Sequence, residues 1–149
     1  GAGGASRAIV AALVDAGVPE IRLVNRTESR AREVAQDIGG NISTSLWGQR
    51  EASLENSALL VNTTVLGMVG KPTLDMCLEN LPANALVTDI VYAPMETVLL
   101  KDAKARGNLV VDGLGMLLHQ ARPGFEAWFG YKPEVTADLR AHVLTGMTE

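Results

Sequence analysis

The sequence predicts an α/β fold: a doubly wound, mostly parallel sheet with helices on both faces. Three observations carry that expectation. A glycine turn, Gly1-Ala2-Gly3-Gly4-Ala5-Ser6, runs straight into an apolar-periodic stretch at 9–16. A short β-branched and aliphatic run, Ile21-Arg22-Leu23-Val24, follows that stretch, which is a βαβ unit seen from its first turn onward. Further short apolar runs at 59–62, 85–92 and 108–112 are separated by loops and by segments of helical period.

The opening turn has the pattern G-x-G-x-x-small. Gly1 suits a tight turn, Gly3 lets the backbone approach a pyrophosphate, and Ser6 fills the third position, where a helix packs closely on a strand. Free N–H groups at the helix start, with the positive end of its dipole, then face an anion. Gly17 is the expected C-cap of this helix and Pro19 follows it. After the strand at 21–24, Thr27 is the expected N-cap of a helix that carries Glu28 in its first turn, runs through Ala31, Val34, Ala35 and Ile38, and stops at Gly39-Gly40.

Residues 42–47 suit a short strand and 50–56 a weak helix or loop. The run at 59–62 is expected to be buried on both faces and to deliver Asn62-Thr63-Thr64 to the edge where ligands lie in such sheets. Two glycines and two prolines make 67–82 a loop, with a short helix around 74–78. A strand at 85–92 leads to a helix at 95–106, with Leu99 and Leu100 inward and Lys101, Lys104 and Arg106 near its negative end. Gly107 stops it. The strand at 108–112 turns at Gly113-Leu114-Gly115 into a helix carrying Met116, Leu117, Leu118, Ala121 and, past Pro123, Phe125, Trp128 and Phe129. A last helix is expected at 133–144, with Pro133 in its first turn. The whole of 1–149 reads as one domain, with its C-terminal helices within 114–146.

The 149 residues, 47% hydrophobic, suffice for a sizeable core, and the scarcity of aromatics makes that core aliphatic. A net charge of −4 gives no reason to expect nucleic acid or an acidic membrane surface. The single cysteine, Cys77, excludes an internal disulfide and fits a reducing compartment; between Met76 and Leu78 it reads as a packing thiol. The longest uncharged run, 56–70, is too short and too rich in Asn and Thr to span a bilayer. A soluble cytoplasmic protein, monomer or homodimer, is expected. In a sheet of order 3-2-1-4-5-6 the strand feeding the glycine loop is the central one, so that strand is expected to lie upstream of Gly1 in a longer chain.

A dinucleotide-binding unit places its ribose-reading residue at the end of the second strand, roughly 20 residues beyond the glycines. Asn25 occupies that slot, followed by Arg26. A carboxylate there would bond a free 2′-hydroxyl and repel a 2′-phosphate; neutral Asn25 with Arg26 does the opposite. Arg30 lies four residues after Arg26, so both guanidiniums can converge on one anion. The position at the strand's end points to NADP. The competing reading is a solvated helix face in which Arg26, Arg30 and Arg32 stand beside Glu28 and Glu33.

GAGGASRA at 1–8, NRTESRA at 25–31, NTTVLGM at 62–68, DIVYAP at 89–94 and DGLGMLLHQA at 112–121 together resemble the NADP-binding half of shikimate dehydrogenases, in the expected order. Glutamyl-tRNA reductases share a similar glycine turn and NRT but are not expected to carry the Tyr-x-Pro and Gly-Met-Leu-x-x-Gln-Ala elements. The resemblance implies a two-domain enzyme with a Rossmann-like cofactor domain and a substrate domain upstream. It implies reversible reduction of 3-dehydroshikimate to shikimate with NADPH, in the pathway to aromatic amino acids. Gly1, Ala2, Gly3, Gly4 and Ala5 would hold the pyrophosphate, and Asn25, Arg26, Thr27 and Arg30 the adenosine 2′-phosphate. Thr64 would lie near the adenosine ribose. Ile90, Gly113 and Met116 would line the nicotinamide, while Tyr92 and Gln120 would reach toward substrate.

The family's catalytic lysine and aspartate belong to the substrate domain, so no catalytic residue is expected here. Lys71 reads as a surface lysine, Asp89 and Asp112 as caps of turns or helices, and His119 and His142 as ordinary helix residues. No pair of ligands has metal-binding spacing. Two other readings stay open: a relative that prefers NAD and acts on quinate or shikimate, and a nucleotide-binding module without catalysis.

Overall fold

The computed structural model describes residues 1–147. The described residues form strands β1 (Ile21–Asn25), β2 (Ile42–Leu46), β3 (Leu59–Asn62), β4 (Leu86–Asp89) and β5 (Leu109–Val111) and helices α1 (Gly4–Asp15), α2 (Glu28–Ile38), α3 (Val98–Ala105), α4 (Leu114–Phe129) and α5 (Ala137–Met147), in the order α1-β1-α2-β2-β3-β4-α3-β5-α4-α5. They form two sheets, β1-β2 and β3-β4-β5, every pairing parallel. The doubly wound expectation holds, in the order 3-2 and 4-5-6 with an interval where strand 1 of that scheme would run.

That interval is a cleft of about 460 Å³. Apolar side chains of α1, β1 and β3 line it, among them Val10, Leu13, Leu23, Leu60 and Val61. It explains a departure from expectation: β3 is not buried on both faces, since Leu59 is 36% exposed and only Asn62 of that strand is buried. Two contacts bridge the cleft. The Gly1 nitrogen donates to the Val24 carbonyl (2.7 Å) while Thr63 Oγ1 donates to the Gly1 carbonyl (3.3 Å). At the other end Arg22 donates to the carbonyls of Ser53 and Glu55, and its hydrogen bond holds the Glu20 carboxyl below the ordinary range.

The core is correspondingly double. Val10, Leu23, Ala31 and Val34 pack under the small sheet. Leu54, Leu74, Leu78, Leu81, Ala85, Val87, Leu99, Leu100 and Ala103 pack under the larger one. Leu99 and Leu100 point inward as the spacing predicts, and α2 stops at Gly39, where φ is +75°.

Several boundaries differ from the sequence reading. The segment around 74–78 is not helical: its backbone groups bond to side chains instead, Arg50 Nε donating to the Asp75 carbonyl (3.0 Å) and Cys77 N donating to Glu51 (3.3 Å), while Leu74 and Leu78 enter the core singly. Cys77 is exposed rather than packed. Residues 50–56 contain a short 3-10 turn at Ala52–Leu54, preceded by another at Trp47–Gln49. α3 starts at Val98, because the Thr97 hydroxyl caps it, and α5 starts at Ala137, where Thr136 Oγ1 accepts from Leu139 N (3.1 Å). Pro133 therefore lies before α5, its carbonyl accepting from Arg122 Nε (2.8 Å). The strands expected at 85–92 and 108–112 are shorter, ending where their chains turn into loops.

Asn108 shows how loop carbonyls beneath the sheet are satisfied. Its buried amide reaches the carbonyls of Pro82, Ala83 and Ala85 at 2.9, 3.2 and 3.0 Å. Asn108→Ala strands those acceptors and is expected to destabilise the fold by about 1–3 kcal/mol, read as a lower urea midpoint at unchanged slope.

Candidate functional site

The carboxyl ends of all five parallel strands lie along one edge, where ligands of open α/β sheets bind. The amino end of α1 opens there. Its N-cap is Gly3, and no side chain caps the helix, so the N–H groups of its first turn are available to an anion. Gly3, Gly4 and Ala5 are exposed, and a Cβ at Gly3 or Gly4 would meet nothing within 4 Å. Gly1 is different: a Cβ there would lie 2.9 Å from Thr63 Oγ1 and 3.0 Å from its carbonyl oxygen. Ser6 is buried at the foot of this turn.

Beside it, β1 hands over to α2 through Asn25, Arg26 and Thr27. Asn25 Nδ2 donates to the Thr27 carbonyl (2.7 Å), so the amide shapes the turn that presents its neighbours. Thr27 occupies the N-cap position, yet its hydroxyl makes no capping bond. Arg26 precedes the helix and Arg30 sits in its first turns, so they flank the helix start rather than forming a pair on one helical face. Both are exposed. Neither has an ion pair or side-chain hydrogen bond among the described residues, whereas their acidic neighbours are engaged: Glu28 with Arg32 (2.7 Å), Glu33 and Asp37 with Arg7 (3.0 and 2.7 Å). Two uncompensated guanidiniums thus stand near an uncapped helix end, an arrangement fit for two separate anionic groups of one ligand.

Toward β4 and β5 the edge becomes less charged. Thr64 is held in its loop by Asn62, its backbone N and Oγ1 both donating to Asn62 Oδ1 (3.0 and 2.8 Å). Ile90 and Tyr92, both half-buried, follow β4. Gly113 presses on that loop: a Cβ there would sit 2.5 Å from the Ile90 carbonyl oxygen and 2.6 Å from the Val91 one. Met116 and Gln120 lie three and seven residues beyond Gly113 on α4, which puts all three on one helical face. Met116 is half-buried and Gln120 exposed. Asp112 anchors this corner, its Oδ1 accepting from Leu114 N (3.1 Å) and its Oδ2 from Arg140 of α5 (2.5 Å). That is the capping role expected of Asp112, with an ion pair the sequence reading did not include. Lys71, His119 and His142 are exposed, and no group of three or more potential metal ligands occurs among the described residues.

A family model for shikimate / quinate 5-dehydrogenases matches residues 1–92. The chain belongs to that family. It is 61% identical over 145 residues to a shikimate dehydrogenase (NADP(+)) of Paramagnetospirillum magneticum, an alignment covering 97% of this chain and 52% of that protein. Among solved structures, quinate dehydrogenase from Corynebacterium glutamicum in complex with NAD superposes with a TM-score of 0.88 at 32% identity, over 97% of this chain and 53% of the other. Shikimate 5-dehydrogenase from Thermus thermophilus in complex with NADP(H) and shikimate gives 0.76 at 35%, over 90% and 49%. The chain therefore spans about half the length of the family members it matches. No helix among the described residues is long and apolar enough to cross a membrane.

Sequence reasoning located the loops but overlooked how they are joined. Asn62 and Asp89 end strands β3 and β4 as register partners and, with Thr97, form a buried polar cluster under the loops. The available signal was a polar residue closing each of two apolar strands.

Proposed function

We propose that this chain is the NADP-binding half of a dehydrogenase that reversibly reduces 3-dehydroshikimate to shikimate. The observation that carries the reading is the pair Arg26, directly after β1, and Arg30, in the first turn of α2, both exposed and without an acidic partner among the described residues, in a chain of this family. A phosphoryl on the adenosine 2′-oxygen would meet them, while the pyrophosphate would take the uncapped start of α1. Gly113 lets its backbone pack directly on the Ile90 and Val91 carbonyls, which fixes the two loops that would flank the nicotinamide.

In this reading the chain's own residues orient and shield rather than transfer protons. Gly3, Gly4 and Ala5 hold the pyrophosphate through backbone N–H groups, and Arg26, Thr27 and Arg30 fix the adenine end. Ile90, Gly113 and Met116 hold one face of the nicotinamide, so that Tyr92 and Gln120 can contact the substrate's polar groups. NADPH, when bound, supplies the hydride. Orientation of this kind removes much of the entropic barrier, and the proton for the developing alkoxide comes from outside these residues.

The family members' double length supports an additional substrate domain carrying that donor. The apolar cleft between the parallel strands β1 and β3 supports one further strand of the same sheet. A chain of 149 residues by itself is accordingly expected to bind NADP without turning over shikimate; measurable dehydrogenation in a coupled absorbance assay would contradict the placement of the proton donor elsewhere.

A second reading has its own support, since the quinate dehydrogenase superposing at TM-score 0.88 is described with NAD. Steady-state rates of the full-length protein with NADPH and NADH, on 3-dehydroshikimate and in the reverse direction on shikimate and quinate, separate the two. Preference for NADPH and shikimate is expected. A preference for NADH would overturn the cofactor assignment.

A further inference from the structure

The Asp89 carboxylate at the end of β4 is fully buried, and no Lys, Arg or His side chain among the described residues bonds to it. Burying such a group is costly unless hydrogen bonds saturate it. Three donors do so: Asn62 Nδ2 and Val91 N to Oδ1, both at 3.0 Å, and Thr97 Oγ1 to Oδ2 at 2.8 Å. A residue needed only to fill space here would be apolar, like Val87 two positions earlier in the strand. A residue needed only to cap the following turn would require the Val91 contact alone.

The network extends well beyond a cap. Asn62 Nδ2 donates to the Leu66 carbonyl (3.1 Å) as well as to Asp89, and Asn62 Oδ1 accepts twice from Thr64. Thr64 Oγ1 in turn accepts from Leu66 N (3.0 Å). On the far side Thr97 Oγ1 accepts from Leu100 N (3.4 Å), which ties the carboxylate to the start of α3. Two contacts close the layer. Val69 N donates to the Ala93 carbonyl (2.9 Å), and Gly67, at φ +93°, faces Thr97 so closely that a Cβ would touch it at 3.5 Å.

The loop 62–69 and the loop 89–97 are therefore one interlocked body with Asp89 at its centre. Ile90, whose carbonyl abuts Gly113, and Tyr92 ride on it. We propose that Asp89, held by Asn62 and Thr97, is a positioning residue that sets where Ile90 and Tyr92 stand against Gly113, and hence how the nicotinamide meets the substrate. The inference rests on the function proposed above for this site.

Every partner of Asp89 is a donor, so an amide in its place leaves at least one of them without its acceptor. Turned toward Thr97, it makes that hydroxyl accept from the amide as well as from Leu100 and leaves its buried O–H without the acceptor it had; turned toward Asn62 and Val91, it sets N–H groups against N–H groups. Asp89→Asn in the full-length enzyme is expected to lower kcat by about tenfold to a hundredfold, since small displacements of reacting groups cost rate steeply. Affinity for adenosine 2′,5′-bisphosphate, which carries only the adenine half, is expected to stay within about twofold by calorimetry, because less than 0.5 kcal/mol separates such constants.

Thr97→Val, which deletes one donor at constant shape, is expected to share the kcat defect, and Thr97→Ser to restore the parent rate. These two decide the matter if Asp89→Asn does not fold. Parent-like kcat in both Asp89→Asn and Thr97→Val would overturn the proposal, as would a loss of bisphosphate binding matching the loss of kcat. If the parent enzyme lacks activity on 3-dehydroshikimate, the function reading fails separately. The positioning role is then read from the affinity gap between whole NADP and the bisphosphate, which Asp89→Asn should shrink and an unaltered gap would refute.

Discussion

Gly113→Ala is expected to cost the full-length enzyme about a hundredfold or more in kcat while leaving affinity for the adenine half of the cofactor nearly intact. The backbone at Gly113 is ordinary right-handed geometry, φ −77° and ψ −10°, so conformational strain is not the reason. Space is. The new Cβ would lie 2.5 Å from the Ile90 carbonyl oxygen, 2.6 Å from the Ile90 carbonyl carbon and 2.6 Å from the Val91 carbonyl oxygen. All three are backbone atoms at the end of β4, held from below by the Asp89 network, so no side-chain rotation relieves the clash. The loops must part by an appreciable fraction of an ångström, or the fold must absorb overpacking strain of about 1–3 kcal/mol. Gly115→Ala is the matched control, because a Cβ there meets nothing within 4 Å. Thermal unfolding alongside kcat separates the two consequences, and a Gly113→Ala enzyme within about threefold of the parent rate would mean that this contact does not set the reacting geometry.

Legibility in the sequence followed the range of the interactions concerned. The glycine turn, the strand at 21–25 and the helix closed by Gly39 were readable because each depends on residues within one or two turns of itself. The helix expected around 74–78 was not, since Arg50 and Glu51, more than 20 residues earlier, supply hydrogen bonds that a helix would have made internally. Burial of β3 was misjudged for a related reason: an apolar run reports what a strand can bury, and Leu59 to Val61 face the cleft beside β1. In the site, Arg26 and Arg30 could be named from their position after a strand, but whether nearby acids neutralised them depended on Arg7, which takes Glu33 and Asp37 from a different helix. The Asn62–Asp89–Thr97 cluster was hidden in the same way, because strand register, not sequence proximity, brings its members together.

The arginine pair offers the second large effect. Hydrogen bonds to charged groups contribute roughly 1.5–3 kcal/mol each, so Arg26→Ala or Arg30→Ala alone is expected to weaken NADP binding by about tenfold to a hundredfold. Because both guanidiniums would serve one phosphoryl group, the double variant should lose about a hundredfold to ten-thousandfold, with some shortfall from strict additivity. NADH, lacking that phosphoryl, should be affected little, so the preference between cofactors collapses without loss of the fold. Arg32→Ala is the discriminating control: Arg32 stands on the same helix but pairs with Glu28 at 2.7 Å, an exposed contact of small value, and its removal should leave the preference unchanged. Ionic strength gives an independent readout, since a site built on exposed charge is screened by salt; the Michaelis constant for NADPH should rise with salt in the parent and far less in the double variant. An equal loss with NADPH and NADH would point to a damaged β1–α2 turn, and an unchanged preference would return both arginines to the role of solvated surface charge.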